Sequence, residues 1–398
     1  MKIYKAKNEA KNENHREPAA PGRLYFIDNL RAWLTIIVVL HHISVIYTAS
    51  TAYYYLEAPG DAPASFLLIF FQMCDQAYFM GLFFFLSGLF TPASYDRRGV
   101  KKFVADRLLR LGLPLLAYVV LLNPITCIPL YQMPRSLGGL EGPFAWRMGP
   151  GPLWFIVMLL VFDAAYALWR IAARNRRARP ARAYPPLKPR DICLFTLGLA
   201  AAGYFTRIFI PFGRYFLFFP TLAYLPQYVS FFALGLLALR RGWLFTIPDR
   251  YGKRGLIAAA ASVALYLLAV IPEFVRSGGA GADAYTGRGT WESGVFALWD
   301  SVFSVGISLA LIVYFRRYLN RQHAWGKLLQ KNSYTVFVIH SPVIVLTAAY
   351  VLRGVRAYTP LKFGLAAVIC VPLCYAAAWL IRKIPKAVLL LTDGRARK

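Results

Sequence analysis

The chain is poor in acidic residues and in charge overall. Eighteen Asp and Glu face 46 Lys and Arg, and charged residues make up only 16% of the 398 positions. A soluble domain carries about 25%. This scarcity excludes an ordinary water-soluble enzyme, and a hydrophobic content of 58% excludes disorder and collagen-like repeats. Cysteine is also scarce: Cys74, Cys127, Cys193, Cys370 and Cys374. The count is odd, no CxxC pair occurs, and all five lie in or beside apolar stretches. That pattern excludes a disulfide framework or a zinc site, so no metal is expected, and it reads as small buried hydrophobes. The first 23 residues lack the apolar core of a cleavable signal peptide, so insertion is expected to use the first membrane helix. No internal repeat is visible.

Long apolar runs are abundant, and the mean hydropathy is +0.47. About ten runs reach the ~20 residues that a bilayer-spanning helix needs. Their limits are near 28–49, 65–92, 108–130, 152–172, 191–211, 215–239, 255–275, 293–315, 334–352 and 361–382. The runs are continuous rather than alternating, so helices are expected and not barrel strands. The expected fold is all-α, a polytopic transmembrane helical bundle with both termini cytoplasmic. Residues 1–23 form an N-terminal tail, 24–384 a membrane domain and 385–398 a C-terminal tail. Prolines within the runs (Pro114, Pro124, Pro220, Pro226, Pro342, Pro372) predict kinks that open the bundle around a cavity.

The cations test this topology. With the N-terminus in the cytoplasm, 36 Lys and Arg fall on the cytoplasmic side and 9 on the outer side, with Arg31 inside the first helix. That is the bias of a plasma or inner membrane protein. It also excludes nucleic acid as a partner, because the positive charge is divided among loops. The basic loop 174–190 (RNRRARPARAYPPLKPR) reads as a topology signal that also touches anionic membrane lipid. The glycine-rich loop 276–290 reads as a flexible connector, since no strand precedes it.

The first run, RLYFIDNLRAWLTIIVVLHHISVIY, holds an arginine and two histidines in apolar surroundings, which is costly without a function. Arg31 and His42 are eleven residues apart, so they share a helix face about 20° wide and are separated by ~16 Å of rise. Asp28 lies one turn before Arg31 on nearly the same stripe, and His41 points ~100° away from His42. A bland reading stands beside this one. Asp28 caps the helix, Arg31 snorkels to the interface, and His42 bonds a neighbouring helix.

Further along, FFFLSGLFTPASYDRRGVKKFVADRLLRLGLP places Arg107 and Arg110 at i, i+3 near the expected start of the third helix, with Lys101 and Lys102 just before. Paired guanidiniums at a helix N-terminus suit phosphate; isolated cations there serve only the topology. Ser87 and Gly88 allow close helix approach. The ninth run, SYTVFVIHSPVIV, adds His340 beside Pro342. Asp75, Asp163 and Asp300 are intramembrane carboxylates that could orient an imidazole or pair with Arg207.

These pieces resemble acyltransferase family 3, a family of multi-pass membrane acyltransferases, and most of all its glucan-biosynthesis C-type branch. The match runs from Tyr25 to about Trp379. YFIDNLRAWL followed by HISVIY carries the family's arginine–ten residues–histidine motif on Arg31 and His42. The family's Arg-x-x-Arg motif falls on Arg107 and Arg110. FFFLSG, LWF at Leu153–Phe155 with Trp154 at its centre, and the His340/Pro342 segment also match. Where the branch tends to have a histidine before LWF, this chain has Pro152. The resemblance implies that 24–384 is a membrane acyltransferase domain. It would move an acyl group, acetyl or succinyl, from cytoplasmic acyl-CoA to a hydroxyl of a carbohydrate or glycan at the outer face, with no bound cofactor.

In this reading Arg107 and Arg110, with Lys101, Lys102 and Arg31, hold the coenzyme A phosphates, and Asp28, Ser87 and Trp154 support the site. His42 takes the proton of the attacking hydroxyl, and His340 positions the reacting groups. Arg31 and His42 are expected to line one shared, water-accessible tunnel. The rival is a transporter or flippase for an anionic or sugar-lipid cargo, where kinked helices with buried His, Arg and Asp are equally expected.

Overall fold

The apolar runs fold as helices, because in lipid only a helix or a closed barrel satisfies the backbone from within. The computed structural model describes residues 23–60, 62–142, 144, 149–173, 186–214, 216–217, 219–220, 222–276, 284–385 and 391–392. The tail up to residue 22, positions 174–185 and 277–283 of the two loops, and nearly all of the C-terminal tail lie outside the described residues. Among the described residues there is no strand beyond one isolated pairing of Phe216 with Phe219.

The elements are α1 (Tyr25–Thr48), α2 (Ala62–Arg107), α3 (108–132), α4 (Trp154–Ala172), α5 (Pro189–Phe209), α6 (Leu225–Ala238), α7 (Asp249–Arg276), α8 (Trp291–Tyr318), α9 (Ala324–Leu346) and α10 (Thr359–Ile381). Among the described residues, eight helical stretches are long and apolar enough to cross a membrane by length and composition; α2 and α3 count together as one of them, Ser65–Gln132. The chain is a polytopic all-α membrane protein.

Two expected boundaries are corrected. The third helix does not begin near 108. Gly99 (φ 72°, ψ 171°) breaks α2, and its second arm runs from Val100 through Arg107 directly into α3. Hydropathy sees only the apolar part of that arm, whereas a charged stretch is still free to be helical. Arg107 and Arg110 therefore sit about two turns or more inside a helix and not at its N-terminus. The sixth run is helical only from Leu225, after a 3-10 turn at Leu222–Tyr224. Pro211, Gly213 (φ 79°) and Pro220 hold the preceding residues in turns.

In α3, π turns at Leu108–Gly112 and Tyr118–Leu122 precede the α turns that carry Pro114 and Pro124 near their starts. A proline lacks the N–H that an α-helix interior needs, and the wider turn before it accommodates the loss. Pro92 in α2 and Pro272 in α7 lie inside helices as well.

α1 is central, in contact with α2, α8, α9 and α10. In its most apolar stretch 61% is buried within the protein, and in that of α9 with its π turn 78%, against 22% for α7. The histidine-bearing helices are thus the inner ones, and α7 faces outward. Two crossings bring backbones together. A Cβ on Gly88 would lie 2.4 Å from the carbonyl oxygen of Phe232, and one on Gly235 2.2 Å from that of Phe85. Only glycine permits this approach of α2 to α6. Gly255 and Gly306 make the same kind of crossing between α7 and α8.

Candidate active site

Two cavities follow the stripe of α1 that carries Arg31 and His42. The larger, about 1360 Å³, lies at the C-terminal end of α1, is lined by Val38, His41 and His42, and reaches the exposed residues Thr51, Pro59 and Gly60. The smaller, about 700 Å³, lies at the other end and is lined by Asp28, Arg31 and Thr35. The expected single tunnel is therefore corrected to two hollows on one axis, divided by packed side chains.

The larger cavity is the histidine site. The His42 ring stacks on His340 at 5.1 Å (27°) and on Tyr53 at 5.0 Å (10°). His340 donates from Nδ1 to the carbonyl oxygen of Phe337 at 2.8 Å, so in the neutral ring Nε2 keeps its lone pair. His42 Nδ1 and His340 Nε2 are buried without a hydrogen-bond partner. Buried polar atoms normally find one, and a pair of orphaned nitrogens on facing rings marks a place where a ligand would supply it. The Tyr53 hydroxyl bonds the Ser341 hydroxyl at 3.0 Å, and burial keeps its phenol well above the usual range, so it stays protonated. The loop bearing Tyr53 is tied to α10 by Glu57 and Lys362.

Composition could not assign the carboxylates. Asp75 on α2 meets His41, its Oδ1 lying 2.7 Å from His41 Nδ1. His41 stands edge-on to His42 at 5.2 Å. Helical spacing set His41 apart from His42, yet both line the larger cavity. The sequence marked Asp75 as a carboxylate that could orient an imidazole and left open which one. Asp300 pairs with Arg207 at 2.5 Å, and both are buried. Asp163 lies 3.0 Å from Arg107 Nε and accepts from Thr91 at 3.1 Å.

The smaller cavity gathers Asp28, Arg31, Ser87, Arg107 and Arg110 from three elements. Asp28 does not cap α1; it pairs with Arg23 at 2.9 Å, and no side chain caps that helix start. Arg31 stands over the Phe90 ring at 5.8 Å. Arg110 pairs with Asp106 at 2.7 Å. Lys101 and Lys102 are exposed and do not line this cavity. Trp154 lines the larger cavity and Phe155 the smaller, so LWF straddles the division. Pro152 lines the larger cavity.

A basic hollow and an imidazole hollow, aligned on one helix, suit transfer of a group from a phosphate-bearing donor to a nucleophile. Comparison with known proteins identifies the family. A family model described as an acyltransferase domain, that of acyltransferase family 3, matches residues 24–381. A "Glucans biosynthesis protein C" of Salmonella schwarzengrund is 29% identical over 352 residues, covering 83% of this chain and 84% of the relative. The proteins of the same name from Salmonella heidelberg and Salmonella paratyphi A are 30% identical over the same coverage. No solved structure matches. The chain thus belongs to acyltransferase family 3 and is a multi-pass membrane O-acyltransferase.

Proposed function

We propose that the protein moves a small acyl group, acetyl or succinyl, from cytoplasmic acyl-CoA to a hydroxyl of a carbohydrate, a glucan by analogy with its relatives, at the outer face of a plasma or inner membrane. The chain would cross the membrane ten times with both termini in the cytoplasm, as the cation distribution indicates. The carrying observation is the alignment of the two cavities along α1. Arg31, Arg107 and Arg110 surround the hollow at its N-terminal, cytoplasmic end, and His42 lies on the same stripe ~16 Å further on, a distance that an extended pantetheine arm covers.

The chemistry follows from neutral imidazoles. His42 takes the proton as the acceptor oxygen attacks the thioester carbonyl. A carbon–oxygen bond forms, the carbon–sulfur bond breaks, and His42 returns the proton to the departing thiolate. His340, stacked on His42, and His41, held by Asp75, position that ring. Tyr53 roofs it. The aromatic residues of the larger cavity, Tyr53, Tyr54 and Trp154 among them, offer the flat faces against which sugar rings pack.

Purified protein in nanodiscs, given labelled acyl-CoA and a glucan, tests this reading. His42→Ala should lower transfer by about a hundredfold or more with donor binding retained. Arg110→Ala should weaken donor binding. Arg107 is a less direct test, because Arg107→Ala strands the buried Asp163, and an uncompensated buried charge costs about 3–5 kcal/mol. The pair Arg107→Ala/Asp163→Asn separates folding from binding. Full transfer by His42→Ala would refute the base; cargo flux in vesicles without acyl-CoA binding would establish a transporter instead.

A further inference from the structure

The two cavities approach each other within a single layer of side chains. On α1 the lining passes from Thr35 in the smaller cavity to Val38 in the larger. On α2 it passes from Phe83 to Met80, and on α4 from Phe155 to Trp154. On α9 one residue, Phe337, lines both. Three phenyl rings from three helices fill this level. Phe83 and Phe155 lie 5.7 Å apart, Phe155 and Phe337 5.8 Å, and Phe83 and Phe337 6.3 Å. The Phe337 ring also lies 5.9 Å from His340. These are centroid spacings of aromatic rings in mutual contact, so the three rings pack against one another where the two linings meet.

Resting on the acyltransfer reading above, we propose that Phe337, with Phe83 and Phe155, forms the constriction through which the acyl thioester reaches His42, and that it sets the upper size of the acyl group. The rings are tilted or edge-on to one another, and the polar contact given for Phe337, from His340 Nδ1, falls on its backbone carbonyl and not on its ring. A turn of its side chain would join the hollows along the stripe of α1. What passes is then limited by the gap that one displaced phenyl leaves, which suits a short acyl chain on a slim arm and excludes a long or branched one. Phe337 is thereby a specificity-determining residue, separate from the histidines that perform the chemistry.

The test has two arms. The first measures passage alone. In sealed vesicles with Thr35→Cys added, a membrane-impermeant maleimide is applied from the side on which the larger cavity opens. Phe337→Ala should raise labelling of position 35 by about tenfold over the Phe337 parent, and Phe337→Trp should not. The second measures selection, comparing transfer from acetyl-, butyryl- and octanoyl-CoA. Phe337→Ala should raise the octanoyl-to-acetyl ratio of kcat/KM by about tenfold or more, the scale on which apolar pockets discriminate added methylenes. Phe337→Leu, with a smaller loss of volume, should give an intermediate ratio and serves if the alanine variant does not fold. Both increases together support the proposal. Unchanged labelling in the smaller variants, or increased labelling with an unchanged ratio, overturns it. Increased labelling with no acyl transfer from any acyl-CoA in the parent overturns the acyltransfer reading and the size filter with it, and leaves Phe337 as a divider only.

Discussion

Three imidazoles cluster at the larger cavity, His41 and His42 lining it and His340 stacked on His42, and their surroundings differ. His42 is held by stacking alone, His340 by a backbone carbonyl, and His41 by a carboxylate. Asp75 is the residue on which this asymmetry turns. Its Oδ1 meets His41 Nδ1, while Oδ2 is buried without a hydrogen-bond partner among the described residues. Asp75→Asn keeps the shape and removes the charge, so it should lower kcat about tenfold with little change in the KM for acyl-CoA, the pattern of an interaction made in the transition state. Asp75→Glu should recover part of the loss, which a purely structural role would not predict. Arg31 and His42 stood out in the sequence as costly polar groups in an apolar run, and Arg107 and Arg110 by their i, i+3 spacing; the structure places them along the linings of the two cavities. The Asp75–His41 contact was not legible. It joins residues 34 apart on different helices, and periodicity within one helix carries no information about how its neighbour is rotated.

At the level of helices, membrane packing lacks a strong hydrophobic drive and relies on close backbone approach. The α2–α6 crossing is the clearest instance. A methyl group at Gly235 would sit 2.2 Å from a backbone oxygen of α2, and one at Gly88 2.4 Å from a backbone oxygen of α6; neither backbone can yield as a flexible side chain could. Gly235→Ala and Gly88→Ala should each lower the detergent-solubilised melting temperature by several degrees, a destabilisation of about 1–3 kcal/mol. Gly112→Ala, whose Cβ would meet only a leucine methyl at 3.8 Å, should leave it within a degree or two. Ser87–Gly88 was readable as a permissive pair, but its partner Gly235 was not, since one glycine in FFALGLLA looks like any other. The helix through Val100–Arg107 escaped for a different reason. Its charges carry the topology signal, and that signal masks the continuity of the backbone beneath them.

For the whole molecule, the cation bias places Arg23 and the α2–α3 arginines on one side and Arg207, Arg276 and Arg288 on the other. A reporter that is active only in the cytoplasm, fused after Lys398, should be active, and one inserted between Gly138 and Gly142 should be silent; the reverse pattern would invert the direction of transfer. The all-α, membrane-spanning class was legible, because length and hydropathy alone decide where a lipid-embedded chain must be helical. The shape of the interior was not, because a shared helix face does not reveal what the facing helices place between its two ends. The phenyl layer has a consequence beyond catalysis. A protein hollowed from both ends is almost a pore, and an energised plasma or inner membrane, the location proposed above, would store ~2.3 kcal/mol per charge at 100 mV across it. If the proposed constriction holds, the phenyl rings would keep protons from running down that gradient, and a turnover that parts them would have to be a moment when the arm of the donor itself serves as the stopper.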